Sequence, residues 1–265
     1  MHKRILSQIW IYPVKSLGGI RLKSANVMDK GLQYDRRWML VDEAGVFMTQ
    51  RLNPKMALFK VSIDQPKGKL NFTFEQDHFS IPTHSPISPT FISKVWEDAV
   101  EVIEVSEECS QWFSEKLNVK CRLVSFPEQN PRPVDPLYKV NDEHVSLADG
   151  YPFLIIGEQS LADLNGKLQE PVPMNRFRPN FVFTGGTPYE EDTWKDFRIG
   201  RNRFVGVKPC GRCIMTTINQ DTAEQGREPL SMLSTYRKRN NKIYFGQNVL
   251  AIDHNEIKEG DEISF

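Results

Sequence analysis

Two of the four cysteines, Cys210 and Cys213, stand at C-x-x-C spacing within VKPCGRCIMTTINQDTAE, residues 207–224. A structural zinc site needs four ligands, usually as two close pairs. No second pair is present: Cys109 and Cys121 stand far apart across a predicted helix, and His78 and His84 form only a loose pair far upstream. A redox dithiol sets its first cysteine at a helix N-terminus, whose dipole lowers the thiol pKa. Here Ile214, Met215, Thr216, Thr217 and Ile218 follow, a composition that predicts strand. Two readings stay open on composition alone. One is a single thiolate beside Lys208 and Arg212, a soft ligand for a thiophilic metal; the other is a pair of small buried hydrophobes.

The elements that must position these cysteines read as mainly β. Strand-like segments recur at ILSQIWIYPV, WMLVDEAGVFMTQ, LNFTFE, AVEVIEV, KCRLVSF, FLIIG, NFVFTGG, FVGVK, CIMTTI and NVLAID, bounded by Gly, Pro, Asn and Asp. Asp42 with the EAG triplet after it predicts a hairpin turn. Three helices are expected. One is capped by Ser106, with Cys109, Trp112, Phe113 and Leu117 on one face. A second carries a Ser160–Asp163 variant of the capping box ahead of Leu161, Leu164 and Leu168. A third opens at Pro229 and runs through Leu230, Leu233 and Tyr236. Four prolines in PEQNPRPVDP, residues 127–136, forbid a regular helix or a central strand and mark the best boundary.

At 265 residues and 39% hydrophobic content the chain can bury a sizeable core. Its 34 basic and 34 acidic residues balance, but the first sixty residues carry eleven Lys/Arg against four Asp/Glu. That pattern excludes a general nucleic-acid coat and leaves room for one anion site in the N-terminal part. No apolar run is long enough for a signal peptide or a membrane span, and the cysteines are too sparse for a disulfide scaffold; a cytoplasmic setting is expected.

RFRPNFVF, YEEDTWKDFRIG and VKPCGRCIMTTINQDT, in that order, resemble the MOSC domain, the C-terminal module of molybdenum cofactor sulfurases. IYPVKSLGGI, GLQYDRRWMLVD and FMTQR resemble the β-barrel domain that precedes it in one branch, which includes the mitochondrial amidoxime-reducing component and bacterial reductases of N-hydroxylated bases. The resemblance spans nearly the whole chain. It implies two interlocked β-barrel-like units, an N-terminal domain at 1–126 and a MOSC domain at 127–265. It also implies the molybdenum cofactor, molybdenum on molybdopterin, with Cys213 as the metal's thiolate ligand and the catalytic position, and Cys210 as a supporting residue.

The cofactor contacts implied by matching motifs are Lys15 and Ser16 in PVKS, Arg36 in DRRW, Asp149, Gly150 and Tyr151 in ADGYP, and Arg178 and Asn180 in FRPN. Arg212 and, from YEEDTW, Asp192 complete the set; Glu191 and Asp192 read equally as turn acids. These residue types suit an enclosed phosphate, which takes cationic forks and hydroxyl or backbone donors. Arg36 alone reads equally as a solvated or salt-bridged side chain. Trp194 and Phe197 read as core, Gly185 and Gly186 as a turn, and His144 as structural rather than a proton shuttle.

The implied activity is reduction of N-hydroxylated small molecules. The resemblance includes neither a ferredoxin domain nor the pyridoxal-phosphate domain of full cofactor sulfurases, so electrons are expected from a separate ferredoxin or flavoprotein-linked donor. No nucleic-acid or membrane partner is expected. The alternative function is a sulfur or cofactor carrier that uses a Cys213 persulfide or thiolate.

Overall fold

A computed structural model describes residues 3–84 and 89–265. Its largest element is a closed ring of seven strands. Phe153–Gly157 runs parallel to Phe181–Thr184, which pairs antiparallel with Arg4–Ile11; the ring continues through Glu262–Ser264, Asp196–Ile199, Asn202–Arg212 and Lys242–Ala251. It closes where Phe153 pairs with Val249. Closure leaves no open edge within the ring. Its wall includes the strand nearest the N-terminus, so the two halves of the sequence interlock. Leu6, Ile9, Phe153, Phe181, Phe183, Phe197 and Phe204 belong to its core, with Trp194 among them as expected.

Residues 38–125 supply a four-stranded sheet ordered Trp38–Val41, Arg122–Ser125, Asp98–Glu104, Thr90–Val95, and a meander of Lys60–Asp64, Lys69–Phe74 and Asp77–Pro82. The helix Glu107–Leu117 packs here. The Ser106 hydroxyl accepts from the Cys109 N–H at 3.1 Å, and Cys109, Phe113 and Leu117 are buried, with Trp112 packed alongside. Phe113 lies against Phe59 and Phe72, with ring centroids 5.1 Å away in each case; its truncation to Ala would cost about 3–5 kcal/mol. Asp42 closes the EAG turn by accepting from the Ala44 and Val46 N–H groups.

Two local expectations need correction. The helix Glu158–Asn165 begins after Gly157 without a side-chain cap, because Ser160 is buried inside its first turn and donates to Glu191. The IMTTI segment is no strand. The strand Asn202–Arg212 ends before Cys213, and Ile214–Thr217 forms a 3-10 turn. The Thr216 and Thr217 hydroxyls donate to the Cys213 and Ile214 carbonyls at 3.0 and 2.8 Å, and such local bonds outcompete the β preference of branched residues.

Register breaks between Gly206 and Lys208 and between Pro209 and Gly211 bend the end of this strand. Proline offers no N–H to a ladder, so a bulge is the natural outcome. The cysteine motif lies at the end of this strand, with Cys210 inside it and Cys213 just past it.

Candidate functional site

A cavity of about 710 Å³ opens where residues of both sequence halves meet. Ten of the eleven candidate residues line it: Lys15, Ser16, Arg36, Asp149, Gly150, Tyr151, Arg178, Asn180, Arg212 and Cys213. The eleventh, Asp192, does not. Its carboxylate is drawn to Arg237 at 2.5 Å and to Arg239 at 3.7 Å, placing it in a separate ion-pair cluster. Neighbouring Glu191 is fully buried, accepting from Ser160 and from the Gly157 N–H, and burial raises its carboxyl from 4.5 to about 7. His144 bonds Asp29 at 3.0 Å and does not line the cavity.

The PVKS loop is fixed by backbone bonds, with the Lys15 N–H donating to Trp38 at 2.7 Å. The Lys15 ammonium donates to the Leu147 carbonyl at 2.9 Å and to Asp149 at 2.5 Å. Burial lowers the Lys15 pKa, against the pull of Asp149. Enclosure opposes ionisation of Asp149, yet Lys15 and the Trp96 indole N–H hold it below the usual carboxylate range. With 72% of its side chain accessible, Asp149 sits at the mouth rather than the floor, where the Lys15 contact holds its charge.

Beneath the cations lies a network that sequence reasoning missed. Asp35, 0% exposed, accepts from the Tyr12 N–H, from Arg36 and from Asn180 at 2.7, 2.6 and 3.1 Å. Asn180 also receives the Leu154 N–H and donates to Trp10, so its amide ties strands together rather than offering a free donor. The Tyr12 ring carries the Arg36 guanidinium at 4.3 Å and that of Arg178 at 4.2 Å. Its ring sits so close to Gly19 that a Cβ there would meet it at 2.5 Å, which explains the glycine. Burial raises the Tyr12 hydroxyl to about 12 and lowers Arg178 to about 10.

Ser16, Arg36 and Arg178 all hold positive φ, at 68°, 51° and 54°. Each such residue costs of order 1–3 kcal/mol and persists only where the surroundings over-determine it. Three in one cavity mark a preorganised site.

The part of the lining beside the cysteines is less complete. Arg212 donates to the Phe245 and Phe177 carbonyls, and Arg176 to that of Thr216, but Nη2 of Arg212 and Nε of Arg176 are buried with no partner among the described residues. The Tyr151 hydroxyl is likewise unpaired. Cys213 is exposed; Cys210 is half-buried, and burial raises its thiol pKa. The Lys208 ammonium stands over Tyr138 at 4.1 Å, which gives it a partner other than the thiols. Eight Lys/Arg line the cavity against four Asp/Glu, which favours an anionic ligand. A Cβ added to Gly150 or Gly211 would meet nothing within 4 Å, so both leave room for a ligand.

Arg132, like Lys15, is a buried cation of the cavity lining. It donates to the carbonyls of Ser146 and Ala148 at 2.5 and 2.6 Å and pairs with Asp98, shaping the loop that presents Asp149. The eleven-to-four basic excess near the N-terminus carried no signal for it or for Arg176. Among the described residues, no group of three or more His, Cys, Asp or Glu is placed to hold a metal ion, and no helix is long and apolar enough to cross a membrane.

Residues 3–120 match the MOSC N-terminal beta barrel domain and residues 142–264 the MOSC domain. Mitochondrial amidoxime-reducing component 1 of Homo sapiens is 33% identical over 97% of this chain and 82% of its own length. The mouse protein of that name is 32% identical, with 97% and 81% covered. Molybdenum cofactor sulfurase of Oryza sativa subsp. japonica is 32% identical over 97% of this chain but only 33% of its own length.

Proposed function

The chain belongs to the MOSC family, and on that premise we propose that it is a molybdenum-cofactor oxidoreductase that removes oxygen from N-hydroxylated or N-oxygenated small molecules. One observation carries the reading: Lys15, Ser16, Arg36, Arg178 and Cys213, distant in sequence, line one basic cavity. The unpaired Arg176 and Arg212 donors and the space over Gly150 and Gly211 suit a bulky anionic ligand that spans it. When bound, the metal with its dithiolene supplies two-electron oxygen-atom abstraction from nitrogen.

The chain's own residues bind, orient and tune. Arg36 and Arg178, spread over Tyr12, with Lys15, would grip the phosphate end. Cys213 Sγ is the soft ligand. Asp149 is held ionised and so orients Lys15 rather than donating a proton at neutral pH. Tyr151 Oη, raised by burial, stays protonated there. Electrons come from a separate donor protein.

The test offers an amidoxime and a hydroxylaminopurine to cofactor-loaded protein under a chemical reductant and measures the deoxygenated product. Wild type should form it and Cys213→Ala should not; a loaded wild type that reduces neither defeats the proposal. The likeness to cofactor sulfurases motivates one other reading, a sulfur carrier. Mass spectrometry showing a removable sulfur adduct on Cys213 in protein without molybdenum would favour it.

A further inference from the structure

FMTQR and INQDT, motifs at opposite ends of the sequence, each contain a glutamine that does not line the cavity: Gln50 and Gln220. Gln50 is 0% exposed. Its Nε2 donates to the Ser16 carbonyl at 2.8 Å and to Gln220 Oε1 at 3.1 Å. Gln220 Nε2 returns a bond to Gln50 Oε1 at 2.9 Å and spends its other hydrogen on the Ile218 carbonyl at 3.1 Å. All four amide hydrogens are therefore used. Turning either amide over would set oxygen against oxygen or nitrogen against nitrogen, so the pairing itself fixes the orientation.

What the pair connects gives it meaning. Ser16 holds a positive φ of 68°, and its carbonyl is anchored by Gln50. Gln220 belongs to a closed loop: Asn219 donates to Glu224, Ile218 bridges Gln225, and the Gly226 N–H returns to Thr217. That loop follows directly from the turn that Cys213 begins. With Gln50 buried and Gln220 half-buried, the satisfied amide pair is costly to break because an orphaned buried group keeps its desolvation penalty. The two ends of the cavity are thus tied by a short and specific route behind its wall.

We propose that Gln50 and Gln220 are positioning residues, a clamp that sets the separation between the Ser16 loop and the Cys213 turn so that one ligand can be held at both. The proposal rests on the cofactor reading above for the identity of that ligand. Neither glutamine touches the reacting atoms.

The experiment compares wild type, Gln50→Leu, Gln220→Leu and the double variant as holoenzymes, following pterin release on dilution by fluorescence. Each single variant should release pterin about tenfold faster, and the double variant no faster than the faster single, because the pair acts as a unit. Release at the wild-type rate in both singles, or losses that multiply in the double, overturns the clamp. Gln220→Glu supplies a readout that mere structural damage would not move. Its carboxylate faces Gln50 Oε1 when ionised but donates to it when protonated, so its release rate should converge on wild type as pH falls; a gap independent of pH counts against the clamp.

Wild type without pterin or molybdenum would instead defeat the cofactor reading. The clamp is then tested separately by alkylating Cys213 with iodoacetamide with and without inorganic pyrophosphate. Pyrophosphate should slow the reaction several-fold in wild type but not in the variants; an equal response in all four proteins overturns the clamp.

Discussion

On the wall built from Tyr12, Lys15, Ser16, Asp35, Arg36 and Arg178, cations are held by carbonyls, a buried carboxylate and an aromatic ring, and three backbones sit at positive φ. On the second wall, the part of the lining beside the cysteines, Arg176 and Arg212 keep buried N–H groups with no partner among the described residues, and Cys213 stands exposed. The cations of the first wall are held within the protein, while the second wall keeps N–H donors open for an anionic ligand. This division suits a ligand anchored at its anionic end and tuned at its other end, since preorganised donors lower the ordering cost of binding.

The largest expected effect lies on the second wall. Cys213→Ala should cut turnover by at least about 1,000-fold, equivalent to about 4 kcal/mol, without shifting the denaturation midpoint; retained turnover would erase the distinction between the walls. Next comes Asp35→Ala on the first wall. It strips a fully buried acceptor from Arg36, Asn180 and the Tyr12 N–H and should cost about 3–5 kcal/mol in urea unfolding.

Glu191 provides a control away from both walls. Its carboxyl is raised in the folded state from 4.5 to about 7, so the folded chain binds the extra proton. Stability from this group is present below about pH 4.5 and lost as pH rises through about 7, by at most about 3 kcal/mol. Glu191→Gln should flatten that slope in unfolding curves and leave ligand binding unchanged.

Arg176→Leu should weaken cofactor retention about tenfold, the scale of one charge-assisted hydrogen bond, with stability nearly unchanged. Tyr12→Phe should do least. Its hydroxyl is buried without a partner, so removal should change stability by under about 0.5 kcal/mol, while the ring still spaces Arg36 and Arg178. A large loss of anion binding in that variant would show that the hydroxyl, not the ring, organises the first wall.

The contrast between the walls also explains what could be read in the sequence. Lys15, Arg36, Arg178 and Cys213 sit in motifs that the family resemblance singles out, and their types are compatible with anion and soft-metal chemistry without deciding it. The Ser106 cap and the apolar face of its helix are local signals and appear as expected. Asp35, Gln50, Arg132 and Arg176 are another matter: their partners lie up to 170 residues away along the chain, as with Gln50 and Gln220, and no local pattern records such pairings. The β-branched run after Cys213 misled for a related reason. Its threonine hydroxyls found carbonyls three residues back, and that local bonding overrode composition. Asp192 was drawn off by Arg237, a partner 45 residues downstream.

The measurement that tests the account most directly is molybdenum and pterin content of the purified chain after expression in a host that makes molybdopterin. The account predicts about one molybdenum and one pterin per wild-type chain, as for a resident cofactor that carries the chemistry. Folded wild-type protein that carries neither, from a host in which other molybdoenzymes are loaded, would contradict it.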